Sequence, residues 1–149
     1  MFTKNERSTF KYWFAHWCAF QMTALNLKAW KPKYLFHDIE KPFLKVFLPY
    51  TKVQKLHRKY HRHHLEYWRG FDKIDIDAML IDWECSRFTK DACPMDARET
   101  WLNEKNNAYV NGNMSLYKFL MENVSVRLRS LIETNEKIFN NFYKQKYGE

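Results

Sequence analysis

The sequence predicts an all-α protein, a compact helical bundle. Apolar residues recur at three- and four-residue steps along nearly the whole chain, few windows alternate with period two, and only three glycines and four prolines interrupt 149 residues. With 46% hydrophobic and 18% aromatic residues the chain is neither disordered nor fibrous. Its length fits a single domain over 1–149, with a core from about 8 to 110 and a C-terminal helix from about 115 to 145.

The elements follow from local signals. Ser8 or Thr9 has the side-chain oxygen to cap a first helix running to about Leu27. Pro32 suits the first turn of a short second helix. Pro42, which lacks an N–H and crowds the carbonyl four residues back, closes that helix and opens a third segment that stops before Pro49. His37-Asp38 then falls at a helix end. Thr51 is placed to cap a fourth helix predicted to reach Trp68, with Gly70 ending it. Asp75 or Asp77 caps a fifth, to about Phe88, and Pro94 starts another, to about Tyr109. Asn111-Gly112-Asn113 is a turn ahead of the long terminal helix, which packs across the bundle or makes an oligomer contact.

Charge divides the chain. The net charge is +8, yet residues up to Gly70 hold 14 Lys+Arg against 4 Asp+Glu, and the rest hold 11 against 13. A one-sided positive charge suits an anionic partner such as a nucleotide, a nucleic acid or a phosphorylated protein, and it equally suits a solvated basic surface. Cys18, Cys85 and Cys93 contain no C-x-x-C pair, which excludes a complete disulfide framework and a cysteine zinc ribbon and fits a reducing, cytoplasmic setting. The aromatic stretch from Tyr12 to Leu27 is interrupted by His16, Gln21, Thr23 and Asn26 and precedes no small-residue cleavage site. It reads as a core helix, with no membrane partner expected.

All six histidines lie in the first 64 residues. On one continuous helix His57, His61 and His64, at i, i+4 and i+7, share a face with Trp68, while His63 points roughly 100° away from its neighbour. Two imidazoles one turn apart reach a single ion or a bridged pair, which favours His61 and His64 as ligands and leaves His57 the least secure. The competing reading is a solvated basic helix carrying Lys55, Arg58, Lys59 and Arg62. His16 sits in an almost wholly apolar segment and Asp82 within Met79, Leu80, Ile81 and Trp83, so each needs a partner if buried.

The run His37-Asp38-Ile39-Glu40-Lys41 resembles the H-D-x-x-K signature of HD-superfamily phosphohydrolases, with Glu40 replacing the small residue some of them carry. That superfamily has a histidine on the preceding helix, matched by His16, and a final Asp on a later helix, matched by Asp82; its two-metal members add histidines in the interval that His61 and His64 occupy. Ala15-His16-Trp17, His37-Asp38 with Lys41, the stretch from Tyr60 to Trp68, and Asp82-Trp83 are also similar to an uncharacterised family of small HD-like proteins of bacteria and phages, over about residues 10 to 105. The resemblance implies an HD-like bundle with one or two divalent ions (Mn, Fe, Co, Ni, Zn or Mg) held by His16, His37, Asp38, His61, His64 and Asp82.

It further implies hydrolysis of a phosphate ester or anhydride by metal-activated water, with a nucleotide or related phosphorylated molecule as substrate. Asp38 would help orient the attacking water. Lys41 would neutralise the leaving phosphate, and Glu66 would support a ligating imidazole or shuttle a proton, unless it simply pairs with Arg62 or Arg69. Arg58, Arg62 and Arg69 are candidates to grip phosphate. The alternative is an HD scaffold without chemistry that binds nucleotides or nucleic acid through its basic N-terminal half, marked by strongly salt-dependent binding that survives removal of metal.

Overall fold

The computed structural model describes residues 1–68, 74–91 and 96–135. Among these the chain is helical throughout, with short turns and no strand. Thr9 opens α1 (Phe10–Asn26), its hydroxyl accepting the Tyr12 N–H at 3.1 Å. The expected second helix is only a 3₁₀ turn, Pro32–Phe36. α2 is Glu40–Phe47, and Pro42 lies inside its first turn, where the missing N–H has no intrahelical carbonyl to serve. His37 and Asp38 therefore occupy the link between the two.

Pro49 holds the N-cap position of α3 (Tyr50–Tyr60), in place of the expected Thr51, which lies inside the helix. α3 also stops eight residues short of Trp68. His61 is already extended (φ −93°, ψ 131°), and the Arg62 carbonyl accepts the Asp75 N–H at 2.7 Å. The one-face arrangement of His57, His61 and His64 is thereby overturned. Gly70, the expected stop, lies outside the described residues.

Asp75 caps α4 (Ile76–Cys85) through the Ala78 N–H, and the 3₁₀ turn Ser86–Phe88 extends it. α5 (Ala97–Val110) is capped by Asp96, which accepts the Glu99 N–H at 2.8 Å; Pro94 and Cys93 lie outside the described residues. Gly112 supplies the positive φ (69°) of the turn into α6 (Met114–Phe119), which Asn113 caps. The long terminal helix is interrupted. A π-turn, Leu120–Val124, joins α6 to α7 (Ser125–Leu131), a 3₁₀ turn follows at Glu133–Asn135, and the expected continuation to about 145 falls outside the described residues.

α4 is the central element. Ala78, Met79, Leu80, Ile81 and Cys85 are all buried, the pattern of a helix packed on several sides, here by α1, α5 and α7. Phe20, Ala24, Leu120 and Leu128 complete the same core cluster. Arg127 forks onto Asp77 (Nη2–Oδ2 2.9 Å), fastening α7 to the start of α4. α2 and α3 pack on each other at the periphery, so the link carrying His37 and Asp38 is pinned between the core pair α1/α4 and an outer pair.

Candidate metal centre

The shape of the 34–38 link is imposed by α1. Trp13, Trp17 and Gln21, at i, i+4 and i+8, lie on one stripe, and each donates a side-chain N–H to a carbonyl of the link: Trp13 to Asp38 (2.8 Å), Trp17 to Leu35 (3.0 Å), Gln21 to Tyr34 (2.7 Å). These bonds hold the link against α1; the Tyr34 and Asp38 carbonyls also accept the His37 and Lys41 N–H groups. Asp38 itself is left-handed (φ 59°), a conformation that Asp and Asn tolerate better than other side chains. Phe20 stacks flat on His37, ring centroids 3.7 Å apart, and fixes that imidazole.

Asp38 is the hub. Its Oδ1 lies 3.1 Å from His57 Nε2, 3.5 Å from His37 Nε2 and 3.5 Å from His63 Nε2; its Oδ2 lies 3.7 Å from His16 Nε2 and bonds the Lys41 ammonium. On one side His16, His37, Asp38 and Asp82 converge, with His16 Nε2 2.9 Å and His37 Nε2 3.5 Å from Asp82 Oδ1. On the other side the ring nitrogens of His57, His63 and His64 lie within 4.8 Å of one another. Each cluster has three or more ligand atoms that could hold an ion, and Asp38 adjoins both.

Fit to a cation can be tested on the polar atoms themselves. His37 Nε2, His57 Nε2, His63 Nε2, His64 Nε2 and Asp38 Oδ1 are buried and make no hydrogen bond, although several are close neighbours. Buried polar atoms are rarely left without partners, and five in two clusters that adjoin Asp38 suit metal coordination. Electrostatics agree. Burial lowers His37 to about 4 and His64 to about 2, so both imidazoles are neutral near pH 7 and keep a lone pair to donate. Burial alone would raise Asp38 and Asp82, but His37 and Lys41 beside the first and His16 and His37 beside the second hold both carboxyls well below their ordinary range. Cys85, 3.8 Å from His16 Nδ1, is pushed well above its ordinary value by burial, so it stands beside the centre as a neutral thiol.

Several sequence expectations are rearranged. His16, His37, Asp38 and Asp82 come together. His64 joins them, but the break after Tyr60 turns His63 inward and His61 outward. His61 stacks on His57 (4.4 Å) and faces Glu40 at 3.3 Å, and Glu40, His57 and His61 form a further group that could hold an ion. His57, the least secure member of the helical reading, and His63, which that reading pointed elsewhere, are the members nearest Asp38 from this segment, and for His63 only the density of four histidines within eight residues is a signal.

Glu40 contacts His57 Nδ1 and His61 Nε2, the outer support that the sequence assigned to Glu66. Burial would raise its pKa, but the His57 hydrogen bond and charge outweigh that and lower it. Glu66 instead forms a half-exposed pair with Arg58, 3.2 Å apart, at the rim.

A cleft of about 540 Å³ opens onto His16, His57, His64 and Asp82. Its basic lining is Arg7, Lys41, Arg58 and Lys90, with Trp83 on the wall. Arg7 and Lys90 come from segments far apart in sequence and carried no local signal. Arg62 lies outside this cleft, exposed on a separate depression beside Lys33 and His61, and Arg69 is outside the described residues. No protein-family model, curated protein or solved structure matches the chain. No described helix is long and apolar enough to cross a membrane.

Proposed function

We propose that this protein is an HD-type, metal-dependent phosphohydrolase acting on a nucleotide or a related phosphate ester or anhydride. The observation that carries the proposal is the position of Asp38, a buried carboxylate with one oxygen toward His37, His57 and His63 and the other toward His16 and Lys41. A carboxylate so shared suits a pair of divalent ions, one in the His16/His37/Asp38/Asp82 set and one in the His57/His63/His64 set. The donors are mostly imidazole and carboxylate, with the Cys85 sulfur beside His16 and Asp82, a mixture that fits Mn, Fe, Co, Ni, Zn or Mg.

A divalent ion supplies acidification of water and charge for a phosphoryl oxygen. The chain's own groups do the rest. Glu40 orients His57 through Nδ1, leaving Nε2 directed at the centre. Lys41 stays cationic, because the Asp38 charge outweighs the effect of its burial, and faces the same cleft as Arg7 and Lys90, where the three can neutralise phosphate oxygens. Trp83 on the wall offers a flat surface for a base. The cleft volume fits a small molecule.

The test is metal analysis of the purified protein, followed by a panel of nucleoside mono-, di- and triphosphates and cyclic dinucleotides assayed with the metal found. Stoichiometric metal and turnover are expected. Asp38→Asn, which keeps the size and tolerates the left-handed backbone, should reduce turnover by about a thousandfold or more. Absence of metal together with absence of turnover in added Mn or Co would refute the reading.

A further inference from the structure

α1, the link and α2 also expose a set of large apolar side chains. Phe10, Phe14, Phe36, Phe43 and Phe47 are 64, 52, 67, 67 and 83% exposed, and Leu35, Ile39 and Val46 are exposed beside them. They fall in two groups, one on α1 and one on the link and α2, joined through two indoles. Phe10 packs on Trp13 (5.1 Å) and Phe14 on Trp17 (6.2 Å); those two indoles bond the Asp38 and Leu35 carbonyls, and Phe43, Val46 and Phe47 follow along one face of α2.

Five phenylalanines exposed to this extent present on the order of 600 Å², at roughly 150–250 Å² for a whole aromatic side chain. That already reaches the top of what monomers usually expose, and with the three aliphatic side chains it approaches the roughly 800 Å² per partner of a standard interface. Its composition is aromatic and aliphatic, the character of an interface core. The exposed residues that form it include no carboxylate; Lys11 lies beside Phe10, and Lys45 is bonded to the Ser8 carbonyl.

We infer that this face is the interface of a homodimer, its occupant a second copy of the chain. A two-fold interface sets a patch against itself, so the patch core must not carry charge of one sign. Elsewhere the basic N-terminal half would repel its copy; the apolar side chains of this face meet the condition, and the Lys45 ammonium beside them is held by the Ser8 carbonyl. Leu35, Phe36 and Ile39 flank His37 and Asp38 in sequence, so the second copy would brace the link from outside. The inference stands apart from the metal reading, because oligomeric state is measured without metal or substrate.

Sedimentation velocity of the full chain over about 1–100 µM, a range that spans ordinary dimer affinities, tests it. The expected species has twice the 18.4 kDa chain mass. Phe43→Asp/Phe47→Asp should sediment as a monomer with an unchanged helical spectrum, its dimer dissociation constant raised about a hundredfold or more. Val126→Asp, at an exposed position on α7, should leave the dimer intact. If the double variant fails to fold, Phe36→Ser on the link should still raise the constant about tenfold. A monomeric wild-type chain, or a double variant that stays dimeric, overturns the inference. A monomer that pellets with phosphatidylglycerol vesicles would do so too, assigning the face to a lipid surface.

Discussion

Asp82 and Glu84 stand two residues apart on α4, in a helix otherwise apolar on nearly every side, and they keep different company. Glu84 is fully buried and neutralised by its own chain: Oε2 accepts the Ala97 N–H at 2.9 Å, and Oε1, without a hydrogen bond, forms an ion pair with the Arg87 guanidinium, which also reaches Asp96 at 3.2 Å. Asp82 faces His16 and His37, and His37 Nε2 has no hydrogen-bond partner. Burial of a carboxylate therefore does not by itself mark a ligand site. Neighbours that can donate a lone pair do. One acid joins α4 to the start of α5; the other belongs to an arrangement that a cation would complete.

The widest separation between the two acids should appear in metal affinity. Asp82→Asn should weaken it by about a hundredfold or more, while Glu84→Gln should leave it within about twofold, measured by calorimetric titration of the metal-free protein. Equal losses would erase the distinction. A smaller contrast sharpens the histidine assignment: His63→Gln should lower affinity by about a hundredfold and His61→Gln by less than about tenfold. The reverse order would restore the continuous-helix reading of the segment.

The smallest effect is a pH slope. Burial raises Glu84 from 4.5 to about 7, so between these values the folded chain keeps a proton that the unfolded chain releases. Glu84's contribution to stability consequently falls as pH rises through that window. His37 has the opposite sign: lowered from 6.5 to about 4 by burial, it contributes stability that is complete above 6.5 and is lost as pH drops toward 4. Glu84→Gln removes the first slope alone. Relative to wild type, the metal-free variant should gain on the order of 1 kcal/mol or more between pH 5 and 7 in urea unfolding. Parallel profiles would show that Glu84 does not titrate there.

Local chemistry made much of the fold legible. Thr9, Asp75 and the Asn-Gly-Asn turn act where their side chains and backbone freedom predict, because caps and turns are decided within a few residues. His16 and Asp82 could be selected because a polar residue in an apolar run needs a reason. The histidine segment misled for the opposite cause. Nothing between Tyr60 and Leu65 breaks a helix by composition, yet the Arg62 carbonyl is taken by the Asp75 N–H, a contact made only after the chain returns. Tertiary pairing reversed the roles of His61 and His63. The Trp13, Trp17 and Gln21 bonds were equally hidden, since their acceptors are backbone atoms with no sequence identity.

Those three bonds tie the geometry of Asp38 to a distant part of the chain. They span 25, 18 and 13 residues, so the 34–38 link keeps its place only while α1 is docked against it. A displaced α1 would withdraw His16 and release the backbone that presents His37 and Asp38, so both halves of the candidate ligand set hang on one helix.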